Sequence, residues 1–96
     1  MLVWFVYDIV EDRPRRKISE KAIELGLQRV QKSVFLGNVE ETTADELLLY
    51  SDQMINEEED SVYMFPMCQE DFKKIEILGQ AFDKAMANNE LKTLFL

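Results

Sequence analysis

An α+β sandwich, with one antiparallel sheet carrying two helices on one face, is the fold that this 96-residue sequence predicts. Three observations lead there. The stretch Leu2–Tyr7 (LVWFVY) is apolar at every position, so a strand built from it has two faces to cover and belongs in the middle of a sheet. Extended and helix-periodic segments then alternate, with short connections, in the order strand, helix, strand, helix, strand. Two helices cover only one side of a sheet, which leaves the second apolar side of the first strand to another layer, and a symmetric second copy supplies it most simply. The pattern is close to a ferredoxin-like arrangement, and a homodimer is expected.

The elements follow in order. The first strand ends in Asp8, a carboxylate placed where the chain leaves the core. Asp12 stands where it can cap a helix, and Pro14 falls in the first turn, where a missing N–H does no harm. Ile18, Ala22 and Leu25 recur at helical spacing and Gly26 supplies a stop, which sets the helix at 13–25. Residues 28–39 (QRVQKSVFLGNV) read as extended. Without a bulge, Val30, Val34 and Leu36 share one face and Arg29, Gln31, Ser33 and Phe35 the other; a bend near Lys32 would divide the segment into two strands. Gly37-Asn38 signals a turn or bulge.

Thr43-Ala44-Asp45-Glu46 has capping-box spacing ahead of Leu47, Tyr50 and Met54, which sets a second helix at 43–56. The acidic run Glu57–Asp60 lacks a turn glycine and reads as a solvated loop rather than a cation site. Ser61–Met67 alternates as a strand and ends at Pro66; Cys68 reads as a small buried hydrophobe, and Lys73–Leu78 as a further strand closed by Gly79. Residues 81–87 have some helical character, and the apolar tail 91–96 is one that a monomer has little reason to expose.

Composition narrows the chemistry. The length suits one domain. No apolar run approaches the roughly 20 residues of a membrane span, and the first strand has neither a basic leader nor a small-residue cleavage site, so a cytoplasmic protein is expected, with no membrane partner. A lone cysteine fits a reducing compartment. There is no histidine, which removes the commonest general base and the commonest transition-metal ligand, so any metal would be a hard cation held by oxygens, Mg²⁺ or Mn²⁺.

Charge is unevenly spread. Although the chain carries a net −8, residues 13–32 hold Arg13, Arg15, Arg16, Lys17, Lys21, Arg29 and Lys32 against only Glu20 and Glu24, a local +5. Such a patch on an acidic body favours a defined phosphate contact over general coating of a polyanion; the alternative reading is a solvated helix face without a ligand. The start of the first helix adds unpaired N–H groups beside its cations.

Val6-Tyr7-Asp8-Ile9, the Arg/Lys-rich helix start, Gly26–Gly37 (GLQRVQKSVFLG) and Asp60–Cys68 (DSVYMFPMC) together resemble the second universal CRISPR-associated protein family, the small partner of the spacer integrase. The resemblance runs from Leu2 to about Gly79. It implies a ferredoxin-like domain over 1–79, a homodimer, and a segment 80–96 that docks on the partner protomer or the integrase as an extra C-terminal strand. It also implies that Asp8 binds Mg²⁺ near the dimer axis and is the catalytic carboxylate, so that the two copies of Asp8 can approach one another. Arg15, Lys17, Arg29 and Phe35 match the family's basic and aromatic functional positions, and Arg13, Arg16 and Lys32 extend the nucleic-acid contact. Ser33 and Phe35 are candidates for supporting the metal or stacking a base, although an aromatic at strand spacing is more often core. Lys17 stands where the family often has arginine, and Leu36 where it often has glutamate. The function implied is spacer acquisition, with metal-dependent cleavage of single-stranded RNA or duplex DNA; the alternative is a non-catalytic scaffold that bridges integrase dimers on protospacer DNA.

Overall fold

The all-apolar opening stretch becomes β1 (Leu2–Asp8) and takes an interior place, hydrogen-bonded on both sides. The structure, a computed structural model, describes residues 1–76, 78 and 79. After β1 come α1 (Asp12–Glu24), β2 (Gln28–Gln31), β3 (Val34–Asn38), α2 (Glu41–Met54), β4 (Ser61–Met67) and a short α3 (Gln69–Lys73). The four strands form one sheet in the order β2-β3-β1-β4, with every neighbouring pair antiparallel. Each of the crossovers through α1 and α2 therefore passes over one strand position, occupied by an antiparallel neighbour: β3 in the first case and β1 in the second.

Strand alternation divides β1 cleanly. Val3, Phe5 and Tyr7 are buried with Ile18 and Ala22 of α1, Leu47 of α2 and Phe35 of β3. Phe5, Tyr7 and Phe35 form a three-ring cluster with centroids about 6 Å apart, a spacing at which edge-on and tilted contacts are favourable. On the opposite side Trp4 and Val6 are half-buried, and their β4 partners Phe65 and Tyr63 are 49% and 52% exposed. Trp4 stacks on Phe72 of α3, with ring centroids 6.2 Å apart.

Several local expectations shift. α1 begins at Asp12 itself, with Glu11 at the cap, because the Asp12 carboxylate pairs with Arg15 one turn on instead of bonding backbone N–H groups. Gly26, at φ 102°, ends α1 in a Schellman turn: its N–H reaches the Ile23 carbonyl at 3.0 Å and that of Leu27 the Ala22 carbonyl at 3.0 Å. α2 starts two residues before Thr43, on Glu40, whose carbonyl accepts from both Thr43 and Ala44; no capping box forms. The buried Ser51 hydroxyl within α2 is satisfied by the Leu47 carbonyl at 2.8 Å.

The 28–39 segment does divide, at Lys32-Ser33, into the hairpin β2–β3, with a register shift between Arg29 and Gln31. Gly37 is no turn: it lies inside β3, and a Cβ there would sit 2.9 Å from Leu27 Cγ and 3.1 Å from Leu27 Cα. Pro66 is tolerated within β4 because β4 is an edge strand among the described residues. Cys68 is exposed rather than buried, since it stands in the link between β4 and α3. Lys73 closes α3 instead of opening a strand, and residues 74–76 pair with no strand among the described residues; Glu70 and Asp71 in the first turn of α3 and Lys73 in its last suit the helix dipole. The segment 80–96, expected as an extra strand and docking tail, lies outside the described residues.

Candidate functional site

Three pieces of chain meet at the carboxyl end of β1: the turn that enters α1, the first two turns of α1, and the tip of the β2–β3 hairpin. Tyr7 sews the tip in place. Its N–H donates to the Ser33 carbonyl at 3.1 Å and its hydroxyl to the Lys32 carbonyl at 3.4 Å. Between the pieces lies a cleft of about 570 Å³, lined by Tyr7, Asp8, Ile9, Asp12, Arg15, Arg16, Ser19, Arg29, Lys32 and Ser33.

The structure thus brings together Asp8, Arg15, Arg16, Arg29, Lys32 and Ser33 from three elements. Asp8 is exposed at the end of β1, with no Lys or Arg in ion-pair range among the described residues. Arg15 is already engaged: Nη1 donates to the Ile9 carbonyl at 3.1 Å and Nη2 pairs with Asp12. Arg16 faces Glu20 at 3.8 Å, a pair so exposed that it holds the guanidinium weakly. Arg29 lies over the Phe35 ring, 5.1 Å from its centroid, and the contact leaves its N–H groups available. Lys32 is exposed at the hairpin tip.

Phe35 is fully buried between Phe5, Tyr7 and Arg29, so it has no face to offer a base. The stacking role falls away, and its part in the site is to carry Arg29 from beneath. Arg13 and Lys17 lie on α1 but do not line the cleft.

Sequence reasoning missed four contributors. Tyr7 was counted as core, and it is, but its hydroxyl also fixes the hairpin. Ser19, one turn beyond Arg15, is buried in the cleft wall and donates to the Arg16 carbonyl at 2.8 Å. Asp12 holds Arg15. Asp60, the last residue of the acidic run, is solvent-accessible yet tied down: its two oxygens accept the N–H groups of Val10 and Asn56, each at 2.9 Å, and those bonds hold its carboxyl below the usual 3.8, the Asn56 bond contributing most. Residue type alone marks none of the four.

The donors among the described residues suit a hard cation but do not enclose it. Asp8 offers a carboxylate and Ser33 a hydroxyl, while no group of three His, Cys, Asp or Glu side chains able to hold a metal exists among the described residues.

The model of the family described as CRISPR associated protein Cas2 matches residues 1–75, from β1 through α3, and so contains the whole cleft. The chain belongs to the Cas2 family. It is 37% identical over 67 residues to the CRISPR-associated endoribonuclease Cas2 of Desulforudis audaxviator, a match spanning 70% of this chain and 63% of that relative. A Cas2 of the same description from Korarchaeum cryptofilum is 35% identical over 81% of this chain and 84% of its own length. In three dimensions the chain is similar to Streptococcus pyogenes Cas2, with a TM-score of 0.71 and 26% identity over 82% of this chain and 100% of that one. A hypothetical protein from Thermus thermophilus gives 0.69 and 27%, over 81% and 89%. As a Cas2 family member the chain has an α+β fold, its described residues forming an open four-stranded sheet, and no helix among them is long and apolar enough to cross a membrane.

Proposed function

We propose that this protein acts in CRISPR spacer acquisition as a homodimer, beside the spacer integrase, and cleaves phosphodiester bonds of single-stranded RNA or duplex DNA with Mg²⁺ or Mn²⁺ held at Asp8. The observation that carries this reading is an exposed carboxylate, with no Lys or Arg in ion-pair range among the described residues, in the lining of a cleft that Arg16, Arg29 and Lys32 also line. The names of the relatives, CRISPR-associated endoribonucleases, support the reaction class.

The βαββαβ element order with strands in the order β2-β3-β1-β4 supports the finer, ferredoxin-like reading of the fold. Strand alternation puts Asp8 in line with Leu2, Trp4 and Val6, on the side of the sheet away from α1 and α2. A second copy that covers that side brings its own Asp8, and two carboxylates, waters and the Ser33 hydroxyl then suffice for a cation that normally retains several waters.

Within the cleft, Arg29 grips phosphate oxygens through paired N–H groups, and Lys32 and Arg16 add charge; Arg13 and Lys17 extend the cationic surface along the strand backbone. These contacts align the scissile phosphate over Asp8. The ion, when bound, supplies positive charge at the phosphate and an acidified water. Arg15 acts indirectly, since it braces the turn that follows Asp8.

A scaffold role that needs no chemistry is the second reading, favoured by the single carboxylate per protomer and the lack of a three-ligand cluster among the described residues. One pair of assays separates the two. Asp8→Ala should abolish Mg²⁺-dependent cleavage and leave the dimer intact; cleavage that survives in a clean preparation rejects the nuclease reading. Normal spacer acquisition by the same variant, lost instead on charge reversal of Arg16, Arg29 and Lys32, would make the protein a DNA-bridging adaptor.

A further inference from the structure

The peptide plane joining Ile9 to Val10, one residue beyond Asp8, is held at both ends by charged side chains from different parts of the chain. At its carbonyl end, Arg15 Nη1 donates to the Ile9 oxygen at 3.1 Å, with the guanidinium steadied by Asp12. At its amide end, Asp60 Oδ1 accepts the Val10 N–H at 2.9 Å. Asp60 is itself fixed. Its other oxygen accepts the Asn56 N–H at 2.9 Å, its own N–H donates to the Asn56 carbonyl at 2.8 Å, and Asn56 Oδ1 takes the Glu58 N–H at 3.0 Å, so the residue is the closing bolt of a tight turn. The next residue, Ser61, is the register partner of Asp8 on β4.

We propose that Asp60 is a positioning residue for Asp8: with Arg15 as the opposite jaw, it locks the Ile9–Val10 peptide and so fixes the direction in which the chain leaves β1 and the Asp8 carboxylate points. A turn between strand and helix can ordinarily rotate a peptide plane at little cost. Here rotation would break two charge-assisted hydrogen bonds at once, and each is stronger than a neutral one. Glu57, Glu58 and Glu59 in the same acidic run are exposed and reach no part of the β1–α1 turn, which singles out Asp60. The arrangement also explains how a β1 carboxylate without an ion-pair partner keeps a defined position: its backbone is held, and the side chain is left for a ligand.

This role rests on the reading of Asp8 as the metal carboxylate, so the experiment judges the two separately. Full-length wild type, Asp60→Ala, Asp60→Asn and Asp8→Ala are compared by amide hydrogen exchange and by titration with Mn²⁺, whose paramagnetism broadens the Asp8 amide resonance. Loss of a hydrogen bond to a charged acceptor should speed Val10 exchange by roughly tenfold or more in Asp60→Ala, with Phe5 in the core unchanged. Asp60→Asn keeps one acceptor atom and should fall between, and it stands in for Asp60→Ala if protection at Phe5 shows that the alanine variant is unfolded. The Mn²⁺ concentration for half-broadening should rise several-fold in step with Val10 exchange. Unchanged Val10 exchange in both Asp60 variants overturns the lock, and faster exchange with an unmoved Mn²⁺ midpoint overturns the positioning role. Broadening that persists in Asp8→Ala overturns the metal reading and the positioning role with it, while the exchange data still decide whether the lock exists.

Discussion

The two sides of β1 are built from the same kinds of residue and end in opposite conditions. Val3, Phe5 and Tyr7 lie in a closed core under α1 and α2, whereas Trp4 and Val6, with Tyr63 and Phe65 beside them on β4, form an aromatic surface that is half open among the described residues. One side is committed to the stability of the protomer. The other leaves apolar area partly exposed among the described residues, which is the face the proposed second copy would cover, and Asp8 stands at its end. Hydrophobicity therefore says that a strand is central but not which side the protomer closes by itself.

The largest effect is expected on the closed side. Phe35→Ala removes a fully buried ring that touches Phe5, Tyr7 and Arg29, and should cost about 3–5 kcal/mol of unfolding free energy, read as a fall in the urea midpoint. Because Arg29 rests on that ring, the proposed nucleic-acid affinity should fall as well. A loss under 1 kcal/mol would mean that the core is not organised as described. Next is Gly37→Val, which drives side-chain atoms into Leu27 where a Cβ already lies 2.9 Å from Cγ; overpacking of this kind costs about 1–3 kcal/mol, and Gly37→Ala should cost less.

The open side should answer differently. Tyr63→Ser with Phe65→Ser removes the stacked pair, whose centroids are 6.0 Å apart, from a partly solvated strand. The single chain should lose only on the order of 0.5 kcal/mol per site, while the proposed self-association should weaken at least tenfold, measured by sedimentation equilibrium. Equal losses in both measurements would erase the contrast between the two sides.

Much of this was legible in the residues because it depends on spacing. The run Leu2–Tyr7 marks the central strand, Ile18 and Ala22 with Gly26 mark α1 and its stop, and the cations of 13–32 announce the charged wall of the cleft. What was not legible depends on meetings between distant segments. Gly37 looked like a turn because its reason, the passage of Leu27, is invisible until the sheet packs on the α1–β2 link. Arg15 looked like a free phosphate ligand because nothing in a sequence shows that the Ile9 carbonyl lies within its reach. Phe35 looked available for a base although its pairing with Arg29 buries it. Lys73–Leu78 alternates like a strand, yet the short α3, anchored by Phe72 on Trp4, claims its first residue.

The finest test of the contrast concerns acid. Asp60 bridges the end of the open side to the β1–α1 turn, and the N–H groups of Asn56 and then Val10 hold its carboxyl below the usual 3.8. A carboxyl whose folded value is depressed contributes stability that is fully present above its unfolded value and is lost as pH falls through the folded one, because the unfolded chain takes up the proton first. The Tm of wild type minus that of Asp60→Asn should thus be positive and flat from pH 7 down to about 5, shrink below about 4, and approach a constant once both states are protonated. The group is solvent-accessible, so the effect is small and reads best as this difference, in which the other eighteen carboxylates cancel. A difference that grows on acidification would mean that the two N–H groups prefer the protonated form, and the bridge between Asn56 and Val10 would have to be redrawn.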